Sequence, residues 1–326
     1  MTDDMQALVV TRTGGIDVLE VQRRPVPEPA PGQLLVQVAA SGVNFKDVYL
    51  REGVYPSAPP FVPGEECAGT VLAVGADVEG FAVGDVVASA SAIGAHAEQA
   101  LVPARHAIAI PSGLDPQIAA AAMLQGMTAH YLVHSTYAVR EGDDVLVHAA
   151  AGGVGQLLVQ LVKRQGAHVV ATVGSDAKVQ VARAAGADAV IRYDEAGDLA
   201  AAVREHVPDG VHVVYDGVGK ATFEASLASL RRRGMLALFG AASGQVPPFD
   251  LQRLNPAGSL FVTRPTLADY VATRDELQWR AGDVLDGAAS GELRIAIGGR
   301  YPLDDAQQCY RDLEGRRTTG KLLIVP

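Results

Sequence analysis

The chain has 326 residues, enough for two cores, and 48% of them are apolar, which excludes an intrinsically disordered protein. Its formal net charge of −10 argues against a nucleic-acid surface, which needs a basic patch. With two cysteines, Cys67 and Cys309, and no C-x-x-C pair, a disulfide framework and a cysteine-rich structural zinc site are excluded.

The acidic start Met1-Thr2-Asp3-Asp4 leads into a strand-like run at 7–10 and resembles no secretory signal. No apolar stretch approaches the ~20 residues of a membrane helix, so a soluble cytoplasmic protein is expected. Residues 1–110 read as β-rich. Short apolar or alternating runs at 34–38, 69–74, 86–88 and 107–110, separated by turn clusters, predict an antiparallel barrel or sandwich. The apolar spacing turns helical over 116–134.

From 144 onward, apolar strand runs alternate with helical segments. Strands are predicted at 144–148, 168–173, 189–191, 211–215 and 234–239, with helices at 155–164, 177–185, 199–206 and 222–230. Strand–helix alternation needs crossovers and so predicts a parallel, doubly wound sheet. The basic run Arg231-Arg232-Arg233 reads as a solvated helix end. Beyond about 265 the pattern is mixed, closing on the apolar run 322–325.

His148-Ala149-Ala150-Ala151-Gly152-Gly153-Val154-Gly155 lies between a predicted strand and helix. It is a variant of G-x-G-x-x-G with Ala150 in the first glycine's place. Gly152 lets backbone approach a pyrophosphate, Gly155 lets helix and strand pack closely, and the helix N-terminus that follows offers N–H groups to the anion, with Gly153 and Val154 also counted among the cofactor-binding residues. NAD enzymes usually carry an acid at the end of the next strand, to accept from the ribose hydroxyls. Here that strand ends Val173-Gly174-Ser175-Asp176-Ala177-Lys178. Gly174 and Ser175 leave room, Lys178 supplies a cation for a 2′-phosphate, and Tyr193 closes the same pocket. Asp176 is read as the helix N-cap, facing away. This pattern selects NADPH over NADH; the alternative is that Lys178 is a solvated helix lysine.

Three segments carry a family resemblance. Gly42-Val43-Asn44-Phe45-Lys46-Asp47-Val48-Tyr49 with Gly53-Val54-Tyr55-Pro56 resembles the N-F-x-D…Y-P segment of the zinc-independent quinone oxidoreductases, in the medium-chain dehydrogenase/reductase superfamily. Val62-Pro63-Gly64-Glu65-Glu66-Cys67-Ala68-Gly69 resembles the superfamily's G-H-E-x-x-G segment. The turn Ala149 to Gly155, with Tyr215 to Gly219 and Thr263-Arg264-Pro265, resembles the cofactor domain of the same enzymes.

The resemblance implies a β-rich, GroES-like catalytic domain of residues 1–125 and 266–326, with a Rossmann domain of residues 126–265 inserted, and ligands in the cleft between them. It places Gly217, Thr128, Phe239, Gly240 and Arg264 around the cofactor, Asn44 at its nicotinamide side, and Arg316 near the adenosine end. Tyr49 and Tyr55 are the candidate catalytic groups, because a phenol stacks on a flat ring and donates a proton. Glu65 stands where zinc-dependent members have a histidine, and the Asn44 region offers no thiolate, so no metal site is expected. Cys67 reads as a small buried residue. His130 and His134, at i and i+4, lack a third ligand and read as packing or surface histidines. Gln125 departs from the lysine of some quinone oxidoreductases.

Without a metal the enzyme suits acceptors that stabilise added electrons themselves. The expected reaction is reduction of quinones by NADPH, in one- or two-electron steps. The alternative is reduction of α,β-unsaturated ketones, aldehydes or enoyl thioesters. A reading of another class, a nucleotide-sensing or RNA-binding protein, is disfavoured by the charge. A homodimer is implied by the resemblance, with a contact edge along 258–263.

Overall fold

The computed structural model describes residues 4–326. In chain order the first elements are β1 (Asp4–Val10), β2 (Leu19–Pro25), β3 (Gln33–Val43), α1 (Phe45–Arg51), β4 (Glu66–Val74), β5 (Val86–Ser89), β6 (Gln99–Pro103), β7 (Ile108–Ala109) and the long α2 (Pro116–Tyr131). There follow β8 (Asp144–Val147), α3 (Gly153–Arg164), β9 (His168–Val173), α4 (Asp176–Ala184), β10 (Ala189–Arg192), α5 (Leu199–His206), β11 (Val211–Asp216), α6 (Phe223–Ser229), β12 (Leu230–Leu238), β13 (Phe261–Thr263) and α7 (Leu267–Tyr270). The chain ends with α8 (Arg274–Ser290), β14 (Ile297–Pro302), α9 (Ala306–Glu314) and β15 (Lys321–Val325). Two compact units result, one reaching Gln125 and resuming at Thr273–Pro326, the other Gly126–Ala272.

In the first unit β1 and β2 pair antiparallel, and a seven-stranded sheet runs β14-β15-β3-β4-β5-β7, with β6 also paired to β3. Its pairs are antiparallel except β14 with β15. The alternation read from the sequence shows in β6 and in the 69–72 part of β4, where Thr70 and Leu72 are exposed, whereas β15 is buried on both faces over residues 321–324. Glycine is demanded by the β3–β4 pairing: a Cβ at Gly69 would land on the Gln37 carbonyl oxygen. The carboxyl end of the unit is tied back by Arg51, 1% exposed, which donates to Glu314 at 2.7 Å and to the Gly14 carbonyl at 3.1 Å. The helix α8 starts on a Thr273/Glu276 capping box and stops at Gly291, whose φ of 78° lies in the left-handed region.

In the second unit the order is β10-β9-β8-β11-β12-β13, with every pair parallel. Counted from β8 this is 3-2-1-4-5-6, the doubly wound order whose direction reverses between β8 and β11. These strands are covered on both faces, so they read as continuous apolar runs: Val145, Leu146 and Val147 are all 0% exposed. The helix α3 buries Leu157, Leu158, Leu161 and Val162 and carries Lys163 and Arg164 in its last turn, where cations offset the helix dipole.

Two expectations about this unit need correction. The run Arg231-Arg232-Arg233 lies inside β12, not at a helix end. Leu230 pairs with Val211 and Met235 with Val213, so the residues between them form an outward bulge, with Arg233 at φ 58°. Asp176 does not cap α4; Ser175 occupies that position and Asp176 begins the helix. Its carboxylate is drawn instead to Arg192 on β10, 2.8 Å away.

Candidate active site

The carboxyl end of β8 opens into the glycine-rich turn beside the strand-order reversal, where open α/β sheets bind their ligands. Ala149 takes φ 50°, costly for a residue with a Cβ, and Gly152 donates to its carbonyl at 2.9 Å. A Cβ at Gly155 would land on that same carbonyl, so the close packing expected of Gly155 is required. The helix begins at Gly153, two residues earlier than the spacing predicts, placing Gly153, Val154 and Gly155 in its first turn. Gly152 is the N-cap and supplies no side-chain cap, which leaves the first-turn N–H groups to an incoming anion.

A buried network holds the strand ends in place. Asp216, 0% exposed at the end of β11, accepts from the N–H groups of Val218 (2.8 Å) and Gly219 (3.0 Å) and from the hydroxyls of Thr222 and Ser226 (2.7 Å each). His148 bridges Thr172 on β9 (Nδ1, 2.8 Å) and Ser226 (Nε2, 3.0 Å). Ser226 has one hydroxyl hydrogen and gives it to Asp216. It therefore accepts from His148, so the imidazole carries its hydrogen on Nε2 and accepts from Thr172 at Nδ1. Burial pushes the His148 pKa below its ordinary value, against the pull of Asp216.

Gly217 and Gly240 bring the ends of β11 and β12 together: a Cβ on Gly240 would sit 2.5 Å from the Gly217 carbonyl oxygen, and one on Gly217 would meet the Phe239 ring at 2.8 Å. Gly174 and Tyr193 come together beyond β9 and β10, while Lys178 donates its backbone N–H to the Ser175 carbonyl at 3.0 Å at the start of α4. Gly174 leaves space that the Tyr193 hydroxyl fills, and Tyr193 donates its backbone N–H to Val173 at 3.1 Å. Thr128 is buried on α2, and Arg264 is exposed just after β13, both in this second unit. Arg316 belongs to the first unit, in the turn between α9 and β15 with φ 53°.

The first unit holds the other candidates. Tyr49 lies on α1 and Tyr55 in the loop after it, their rings 5.3 Å apart and nearly perpendicular. Tyr55 donates its N–H to the Tyr49 carbonyl at 3.0 Å, fixing the pair. Asn44 precedes α1 and is 7% exposed. Its amide lies against a buried ion pair, Glu66 with Lys321, which nothing in the local spacing announces, since its members are 255 positions apart.

Zinc ligation does not suit these side chains. Glu65 is paired with Lys46 at 2.6 Å, Asn44 is engaged by Glu66 and Lys321, and burial pushes the Cys67 thiol up to about 12. His130 is buried with its ring centroid 4.4 Å from that of His134. Among the described residues no group of three or more His, Cys, Asp or Glu side chains could hold a metal ion. Nor is any helix among them long and apolar enough to cross a membrane.

Comparison with known proteins agrees with this geometry. Residues 30–112 match the alcohol dehydrogenase GroES-like domain, and residues 153–277 the family described as zinc-binding dehydrogenase. Quinone oxidoreductase 1 of Escherichia coli K12 is 41% identical over 96% of this chain and 97% of its own length. A 2-haloacrylate reductase of a Burkholderia species is 39% identical over 99% of both. A mycobacterial protein solved in complex with NADPH is 49% identical, with a TM-score of 0.96 over 99% of this chain and 100% of that one. The chain belongs to the quinone oxidoreductase family of the medium-chain dehydrogenases/reductases. Its donor set departs from the zinc in the second family's description.

The His148 assignment has a measurable consequence. A histidine held neutral by burial contributes stability that is present above its unfolded pKa of about 6.5 and is lost as pH falls below it. Urea unfolding at pH 7.5 and 5.5 should show a larger acid loss in the native chain than in His148→Gln. Equal losses would mean that His148 does not carry the acid sensitivity.

Proposed function

We propose that this protein reduces quinones with NADPH, without a metal. The observation that carries the reading is the glycine turn at the β8 end of a 3-2-1-4-5-6 sheet, coupled to a second strand, β9, that ends without an acid. The residues present fit the dinucleotide. Gly152 and the first turn of α3 would take the pyrophosphate; Gly174, Ser175, Lys178 and Tyr193 the 2′-phosphate; Thr128, Gly217, Phe239, Gly240 and Arg264 the rest of the cofactor, with Arg316 toward its adenosine end. NADPH would supply the hydride.

The chain's own part is positioning and hydrogen bonding. Tyr49 and Tyr55 are assigned the acceptor: one phenol ring stacks on a flat ring, and a phenolic O–H donates to the oxygen on which charge develops. Asn44 is assigned the nicotinamide side. Reduction of an α,β-unsaturated carbonyl compound is the second reading, favoured by the 2-haloacrylate reductase relative. Side-by-side assays with 9,10-phenanthrenequinone and a medium-chain enone decide between them. The quinone should give the higher kcat/KM; an enone preferred by about tenfold, roughly 1.4 kcal/mol of discrimination, overturns the assignment.

Cofactor choice is tested at Lys178. A charge-assisted phosphate contact contributes about 1.5–3 kcal/mol, so Lys178→Ala should raise KM for NADPH at least about tenfold while leaving KM for NADH within about twofold. Equal rises for both would show that Lys178 does not read the phosphate.

We further assign the protein to the cytoplasm, where reduced dinucleotide is supplied, and to a homodimer through β13. That strand ends the sheet order, and Phe261 on it is 55% exposed. An open strand edge with an exposed ring is a pairing surface. Light scattering should give twice the chain mass for the native protein and a single chain mass for Phe261→Glu. A native monomer rejects the dimer.

A further inference from the structure

The two charged side chains most deeply buried near Asn44 are Glu66 (0% exposed, β4) and Lys321 (1%, β15), with Nζ 2.5 Å from Oε2. Taking two charges out of water is costly, and an apolar pair of the same volume often serves stability as well or better. The contacts around the pair indicate what an apolar pair would not do. Lys321 donates to Asn44 Oδ1 at 2.7 Å, and Asn44 Nδ2 donates to Glu66 Oε2 at 3.0 Å and to the Gly42 carbonyl at 3.2 Å. The other Glu66 oxygen accepts the Leu124 backbone N–H from α2 at 2.6 Å.

An asparagine amide has two nearly isosteric ends, and packing alone barely distinguishes them. Here one end faces a group that can only donate and the other a group that can only accept. A flipped amide would set NH2 against the ammonium and oxygen against the carboxylate, two repulsions in place of two charge-assisted hydrogen bonds. Gly42 makes room for the arrangement, since a Cβ there would land on the Glu66 carboxylate and 2.6 Å from Lys321 Cε.

We propose that Glu66 and Lys321 are positioning residues that lock the Asn44 amide in one orientation, so that Asn44 meets a bound molecule only as a hydrogen-bond acceptor. Both Nδ2 hydrogens are already committed, to Glu66 and Gly42, while Oδ1 takes the Lys321 ammonium and faces the Asp47 N–H in the capping box of α1, so a further donor sharing Oδ1 is the one kind of partner the amide admits. The partner it fits is a hydroxyl or amide N–H of the cofactor or acceptor. This rests on the placement of Asn44 beside the nicotinamide in the proposed function.

A double-mutant cycle tests it, with kcat/KM measured on phenanthrenequinone and NADPH affinity by fluorescence titration. Glu66→Gln/Lys321→Met removes both charges at nearly constant volume, and its melting temperature should stay close to that of the native protein. It should lower kcat/KM at least about tenfold, the scale of one hydrogen bond to a charged group. Added to Asn44→Ala, it should cost nothing more, because the effect passes through Asn44. Native kcat/KM in the charge-free pair, or losses that multiply in the triple variant, overturns the proposal.

Asn44→Asp gives a second, near-isosteric arm that decides alone if the paired variant does not fold. A carboxylate set against Glu66 must take up a proton to be accommodated, so activity relative to native should rise at least about tenfold from pH 8 to pH 6. A variant-to-native ratio independent of pH overturns the proposal. A native protein inactive on quinone sinks the proposed function instead; the positioning claim is then read from NADPH affinity, with the same expectations in both arms.

Discussion

A carboxylate moved out of water must recover its lost hydration as hydrogen bonds, and the cofactor unit is organised around one that does so without a cation. Asp216 collects two backbone N–H groups from its own turn and two hydroxyls from the segment that begins α6. Through Ser226 the network continues to His148 and on to Thr172, so the carboxyl ends of β8, β9 and β11 share one set of hydrogen bonds. Those ends flank the strand-order reversal. The backbone that would meet a dinucleotide is therefore held in place by these internal hydrogen bonds. That rigidity offsets the cost of keeping Ala149 at positive φ.

The first unit meets the same requirement differently. Glu66 is as deeply buried as Asp216, but it is balanced by an ammonium, and its remaining capacity goes to a backbone N–H and the Asn44 amide. Neutral donors suit a carboxylate whose task is to tie strand ends together. A donor-only and an acceptor-only group side by side suit a task in which one amide must be told which way to point. The two buried carboxylates are thus compensated in different ways, Asp216 by neutral donors and Glu66 by an ammonium.

What the sequence made legible follows from range. The parallel strands are buried on both faces and show as unbroken apolar runs, and the glycine turn is a local pattern that survives without neighbours. The approach of Gly174 to Tyr193 is legible because each follows directly on one of two adjacent parallel strands, β9 and β10. The cap of α4 is not, because Ser175 and Asp176 are both good caps by type. The choice is made by Arg192, sixteen residues on. The Arg231–Arg233 run reads as a helix end because basic residues favour helix C-termini, whereas a bulge of three extra residues against β11 decides their place. Lys321 stands far from Glu66 in the chain, so its role had no local signal.

Lys178 illustrates how a residue of ordinary type becomes informative through position. It is the third residue of α4, in a first turn where the helix dipole disfavours a cation by a few tenths to about 1 kcal/mol. The Asp176 carboxylate beside it is drawn to Arg192, which also pairs with Asp194 and Glu195. A phosphate dianion bound at the same turn reverses the sign: it is attracted by the helix N-terminus and by the ammonium together. Under the proposed cofactor assignment the helix start would thus favour the phosphorylated dinucleotide twice over, once through backbone that every such fold possesses and once through Lys178.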